Sequence, residues 1–192
     1  MTDPMTRTRF SLFSPAAGLL LVMALTRYQH FGSALSLPDA SLAVFFLAAW
    51  SGAGRDWFLA LLAAAGLIDY VAISQFGVSD YCVSAAYAFL IPAYGVMWLG
   101  GAYSRRLGWS WLAGLRGLGA AFAAGSSAFL LSSAGFYWFS GKIAAPSLAG
   151  FVDGNADYYL AYVSAALLYV ILGVAAAALG RALSGAKAVK AV

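Results

Sequence analysis

WFLALLAAAGLIDYVAISQF, residues Trp57 to Phe76, is a run of 20 residues carrying one charge, Asp69. A helix needs about 20 mostly apolar residues to cross the hydrocarbon core of a bilayer, so this stretch alone predicts a membrane span. Composition extends the reading to the rest of the sequence. Of 192 residues, 63% are hydrophobic and 9% charged, and the mean hydropathy is +0.83. A water-soluble domain carries about a quarter charged residues. Residues 1–192 therefore read as one all-α integral membrane domain.

Working outward from Trp57–Phe76, charge clusters, prolines and glycines delimit six apolar segments, near 12–34, 38–54, 57–76, 82–103, 111–135 and 158–183. The first has no short apolar core followed by a small-residue cleavage site, so it counts as a span and not as a signal peptide. The long connection, 136–157, holds Trp138, Lys142, Pro146, Asp153, Asn155 and Asp157. Small residues fill the last two segments, among them Gly114, Gly117, Gly119 to Ala121, Ala123 to Ser127 and Ala175 to Ala178, which close helix packing explains.

The net charge of +4 is not gathered into a nucleic-acid patch. Six spans put Arg7, Arg9, Arg55, Arg105, Arg106, Arg181, Lys187 and Lys190 on one side. Only Arg27 and Lys142 fall on the other, with Arg116 close enough to the first side to snorkel. Positive charge collects in the cytoplasm, so both termini are expected there, in a multi-pass membrane protein.

On this topology the polar groups favour the outer face. Tyr28, Gln29 and His30 end the first span; Asp80, Tyr81, Cys82, Ser84 and Tyr87 open the fourth. Asp153 to Tyr159 open the sixth. Asp69 sits inside the third, roughly 10 Å from its end at 1.5 Å per residue. An ionisable group within a span is costly and usually faces a cavity, which predicts a pocket open to the outside. Each group also has a plain structural reading. Cys82 can be a small buried hydrophobe, His30 a helix cap, the tyrosines an interfacial belt, and Asp69 a partner for Arg27. Enzyme signatures are absent from the sequence. It has no HExxH motif, one histidine, one cysteine and no glutamate, and Gly135 to Lys142 lacks the spacing of a phosphate loop.

With His30 closing the first span, Asp69 in the third and DYCVSAAY at Asp80 to Tyr87, the chain resembles the S-components of energy-coupling-factor (ECF) vitamin transporters. Within them it is similar to the BtuM-like, cobalamin-specific group. The resemblance implies six helices, cytoplasmic termini and an external pocket for vitamin B12. It implies Cys82 as axial ligand of the corrinoid cobalt, with His30, Asp69 and Tyr87 around it.

The chemistry of the residues is compatible with that implication. A corrin already supplies four nitrogens, so one soft thiolate completes what a protein-built metal site would need three or four ligands to do. Ser84, Ala85 and Ala86 leave space for a flat ring, and Tyr28, Tyr87, Asn155 and Tyr158 offer donors and acceptors for its amide arms and nucleotide tail. Cobalt binding would drive the thiol to deprotonate, Asp69 receiving the proton. A thiolate opposite cyanide weakens the cobalt–cyanide bond, so decyanation of cyanocobalamin is a further expectation for Cys82.

S-components that dock on the ECF energising module carry AxxxA on the first helix. Here Ala16 and Ala17 are followed four residues on by Leu20 and Leu21, which predicts a solitary member without that partner. Two other readings stay open: the same architecture serving another vitamin such as biotin, and a membrane enzyme using Cys82 as a nucleophile beside His30. Beyond the corrinoid as transported substrate, no cofactor is expected.

Overall fold

A computed structural model of the chain describes residues 14–27, 37–81 and 83–190, with side chains as far as Ser184. It is all-helical, with no strand among the described residues. The helices are α1 (Pro15–Arg27), α2 (Ser41–Ser51), α3 (Arg55–Phe76), α4 (Leu90–Arg106), α5 (Trp111–Phe139) and α6 (Leu148–Lys190). A short 3-10 turn, Ala85–Phe89, leads into α4.

Local chemistry sets the boundaries. Asp39 accepts the Ser41 amide at the start of α2 (2.9 Å), and Ser110 accepts the Ala113 amide at the start of α5 (3.1 Å). Ser147 does the same for Gly150 in α6 (3.1 Å). Each satisfies an amide that the first helical turn leaves open. Pro92 falls in the first turn of α4, where a missing amide hydrogen costs nothing. Gly52 ends α2 with φ +95°, a left-handed position that glycine adopts without strain.

Four stretches are long and apolar enough to cross a membrane: Arg55–Phe76, Ala85–Arg106, Trp111–Phe139 and Leu148–Ser184. Only 17 to 28% of the most apolar window of each is buried inside the protein, and many of the other side chains are exposed. Leu59, Leu67, Leu99 and Leu160 are among the exposed side chains of these stretches. An apolar exterior on this scale is what a bilayer, and not water, accepts.

Two segments differ from the sequence expectation. Where a span over 38–54 was expected, α2 has 11 residues. At about 1.5 Å per residue it covers roughly half of the ~30 Å hydrocarbon core. Nine consecutive residues, Ser41 to Ala49, are buried, and α2 packs against α1, α3, α4, α5 and α6. A helix apolar on every side is enclosed by protein or spans lipid, and α2 is enclosed. It is a strut running up the middle of the bundle.

The connection expected over 136–157 is the second difference. It shrinks to 140–147, because α5 continues to Phe139 and α6 begins at Leu148. Asp153, Gly154 and Asp157 are exposed on that helical extension, so their polarity does not interrupt it. With 43 residues, α6 is roughly twice as long as the hydrocarbon core is thick and projects beyond it. Of the small residues in the last two helices, Ala121, Ala124, Gly125 and Ala128 lie buried in α5, whereas Ala175, Ala176 and Ala178 are exposed on α6.

Candidate functional site

Arg27, the last residue of α1, is buried beside the start of α2. Its Nε donates to Asp69 Oδ1 and its Nη2 to Asp69 Oδ2, both at 2.6 Å. Nη1 reaches Tyr94 Oη (2.8 Å), Ser41 Oγ (3.0 Å) and Asp39 Oδ2 (3.3 Å). Tyr87 Oη donates to Asp69 Oδ2, and Ser41 Oγ donates to Asp39 Oδ1 (2.6 Å). One guanidinium thus ties together α1, the start of α2, α3 and α4, and Asp69 carries the 3-10 turn as well. Side-chain exposure is 8% at Arg27 and about 20% at each carboxylate, enough desolvation that every member needs its partners. The geometry follows from residue type, since arginine presents a planar fork that grips a carboxylate with two parallel bonds.

This placement bears directly on Asp69. The sequence offers two readings of it, a pocket carboxylate and a partner for Arg27, and the pairing is present. Both oxygens are occupied, one of them twice, so Asp69 acts here as the acceptor that orients Tyr87 and anchors Arg27. Asp69 and Tyr87 are brought together by this bond.

Of the remaining expected site residues, the three that are described stand apart from this pair. Ser84 is spent locally: its hydroxyl accepts the Ala86 amide (3.3 Å) and caps the 3-10 turn that bears Tyr87. Asn155 donates to the Phe151 carbonyl of its own helix (2.8 Å), and Tyr158 is 68% exposed. No hydrogen bond joins either one to Asp69 or Tyr87. Tyr28, His30 and Cys82 lie outside the described residues. Tyr81 and Val83, on either side of Cys82, are each 50% exposed.

Around this end the structure joins Tyr81, Trp138 and Lys142 to aromatic residues that the sequence did not single out. Tyr81 packs against Phe136 at 5.6 Å between ring centroids, and the Lys142 ammonium lies 5.2 Å from the Tyr81 ring. Phe89 stacks on Phe139 (5.1 Å), and Trp138 packs on Phe151 (4.8 Å). An aromatic rim therefore joins the segment before Cys82 to the end of α5 and the start of α6. Asp39, Ser41 and Tyr94 are the hub members missed as a group. The signal was available in part: Asp39 directly precedes an apolar run, and Tyr94 is a lone hydroxyl between apolar turns of α4.

A cavity of about 140 Å³ lies beside the hub, lined by Leu62, Ala65, Gly66, Tyr87, Ala88, Leu90, Ile91 and Tyr94. Pockets for drug-sized ligands span roughly 300–1,000 Å³. This one has room for a few water molecules and not for a corrinoid. Among the described residues, no three histidine, cysteine, aspartate or glutamate side chains come together as a metal site. No protein-family model and no curated protein sequence matches this chain.

Proposed function

We propose that the protein takes up cobalamin across a bacterial inner membrane, binding the corrinoid from the outside with Cys82 as axial ligand to cobalt. In this reading six helices, α1 and α2 among them, form an S-component-like bundle with both termini in the cytoplasm. The bundle works without the ECF energising module, because α1 lacks AxxxA. The observation that supports the reading best is the bond from Tyr87 to Asp69. It pins the turn that immediately follows Cys82 onto α3, through a carboxylate itself clamped by Arg27. A thiol meant to meet a large incoming ring needs a fixed backbone behind it and open flanks. Tyr81 and Val83 supply exposed flanks, and the aromatic rim offers flat surfaces beside them.

The ligand chemistry follows from a soft sulfur donor. Cys82 sulfur displaces the vitamin's benzimidazole from one axial face, and its proton passes to solvent and not to Asp69, whose oxygens are taken by Arg27 and Tyr87. With cyanide on the opposite face, one electron from a cellular thiol takes cobalt(III) to cobalt(II). The cobalt–cyanide bond then breaks, and cyanide leaves with a proton as hydrogen cyanide. Two such thiols end as one disulfide for every two cobalt centres reduced. His30 is assigned to the surroundings of Cys82, and Tyr28, Asn155 and Tyr158 to the corrinoid's side arms and nucleotide tail.

The test is isolation of the protein from cells fed vitamin B12. It should emerge coloured, with close to one corrinoid per chain. Colourless protein from fed cells, in a preparation that is folded and membrane-inserted, would refute corrinoid binding and leave another vitamin or Cys82 nucleophile chemistry as the standing readings.

A further inference from the structure

At the opposite end of α2 from the Arg27 hub, the described residues carry four arginines against one carboxylate, Asp56. Arg105 lies against the end of α2: its Nη1 is 2.1 Å from where a Cβ at Gly52 would stand. A cation there also complements the negative end of the α2 dipole. Trp50, in the last turn of α2, packs against Trp109 at 5.5 Å between ring centroids. From α6, the Arg181 guanidinium carbon sits 4.5 Å from the centre of the Trp109 ring, an arrangement that fixes the guanidinium in place. Arg55 and Arg106 flank the same chain ends, and all four arginines are exposed. Asp56 is the only carboxylate placed at this end among the described residues, and both ion pairs found among those residues belong to Arg27.

The start of α5 and the last described turns of α6, which carries Arg181, bear exposed apolar side chains. Leu112 and Leu115 on α5 and Leu179 and Leu183 on α6 are each about half exposed or more. A soluble phosphate would use the charges and ignore the leucines. A molecule with an anionic phosphate head and apolar tails uses both. Guanidinium forks match phosphate oxygens, tryptophans settle at the level of lipid headgroups, and basic pockets between helices bind anionic lipid heads. We propose that Arg105, Arg181, Trp50 and Trp109 form a headgroup site for an anionic phospholipid, whose chains run along the exposed leucines of α5 and α6. The site stands independently of what the other end binds.

Native mass spectrometry of the full-length protein, equilibrated with equal amounts of phosphatidylglycerol and phosphatidylcholine, tests this. Wild type should retain phosphatidylglycerol in preference. The preference should fall about fivefold for each arginine removed, in Arg181→Gln and further in Arg105→Gln/Arg181→Gln. Lys142→Gln, at the other end, should leave it unchanged. Arg181 is exposed and stacks only on Trp109, so its single variant carries the test if the double variant fails to fold. Equal retention of the two lipids by wild type would overturn the proposal, as would an unchanged preference in Arg181→Gln. Displacement of the lipid by millimolar inorganic phosphate would overturn the commitment to a lipid and assign the site to a soluble anion.

Discussion

Arg27 shows how one residue can set the terms for several others. It is a single cation facing two carboxylates, so removing it leaves two buried negative charges, whereas removing Asp69 leaves a cation still served by Asp39. Breaking a buried pair from one side costs about 3–5 kcal/mol. Arg27→Met should therefore be the most destabilising change in the hub, and Asp69→Asn milder. The double variant Arg27→Met/Asp69→Asn should be less destabilised than the sum of the two. Thermal unfolding of the purified proteins in one detergent checks the order. Strict additivity would mean that the two side chains do not interact. Part of this was legible, because an aspartate inside a span demands a partner and Arg27 was one candidate. What the sequence did not reveal is that the partner would engage both carboxylate oxygens and recruit Tyr94 and Ser41, since a planar fork's partners depend on how four helix ends converge.

At the scale of elements, α2 is the instructive case. An all-apolar run reads the same whether lipid or protein surrounds it, so hydropathy alone placed a span where the structure has a short enclosed strut. Its enclosure depends on close approach: a Cβ added at Gly101 of α4 would lie 2.0 Å from the Phe46 carbonyl oxygen of α2. Gly101→Ala must push the two helices apart, and overpacking of this kind costs about 1–3 kcal/mol or more. Gly95→Ala, on the same helix with nothing within 4 Å of the added carbon, should be neutral or slightly stabilising. Comparing the two melting temperatures tests whether α2 and α4 are packed as described; equal melting temperatures would contradict it. The start of α6 was hidden for a different reason. Asp153, Asn155 and Asp157 look like loop chemistry, yet on an exposed helical extension they are simply solvated.

Across the whole molecule, the four long spans were legible because arginines, glycines and caps mark their ends, and because lipid-facing leucines leave no ambiguity of environment. The candidate site was legible only as a gathering of chemistry at one end. Its internal wiring, with Asp69 committed to Arg27 and Ser84 and Asn155 bonded within their own segments, depends on packing that no local pattern encodes. The two ends of the bundle now have distinct characters: a charge-paired hub leading to the lone thiol's segment, and an unpaired basic-aromatic face. Corrinoid binding at the first of these ends is tested by the visible absorption spectrum of cyanocobalamin bound to wild type and to Cys82→Ala. Sulfur ligation predicts a wild-type spectrum shifted from that of the free vitamin, drifting toward the cyanide-free form when a thiol reductant is present. In Cys82→Ala both the shift and the drift should be lost. Identical spectra and identical time courses for the two proteins would contradict Cys82 ligation, and with it the reason for placing the corrinoid at this end of the molecule.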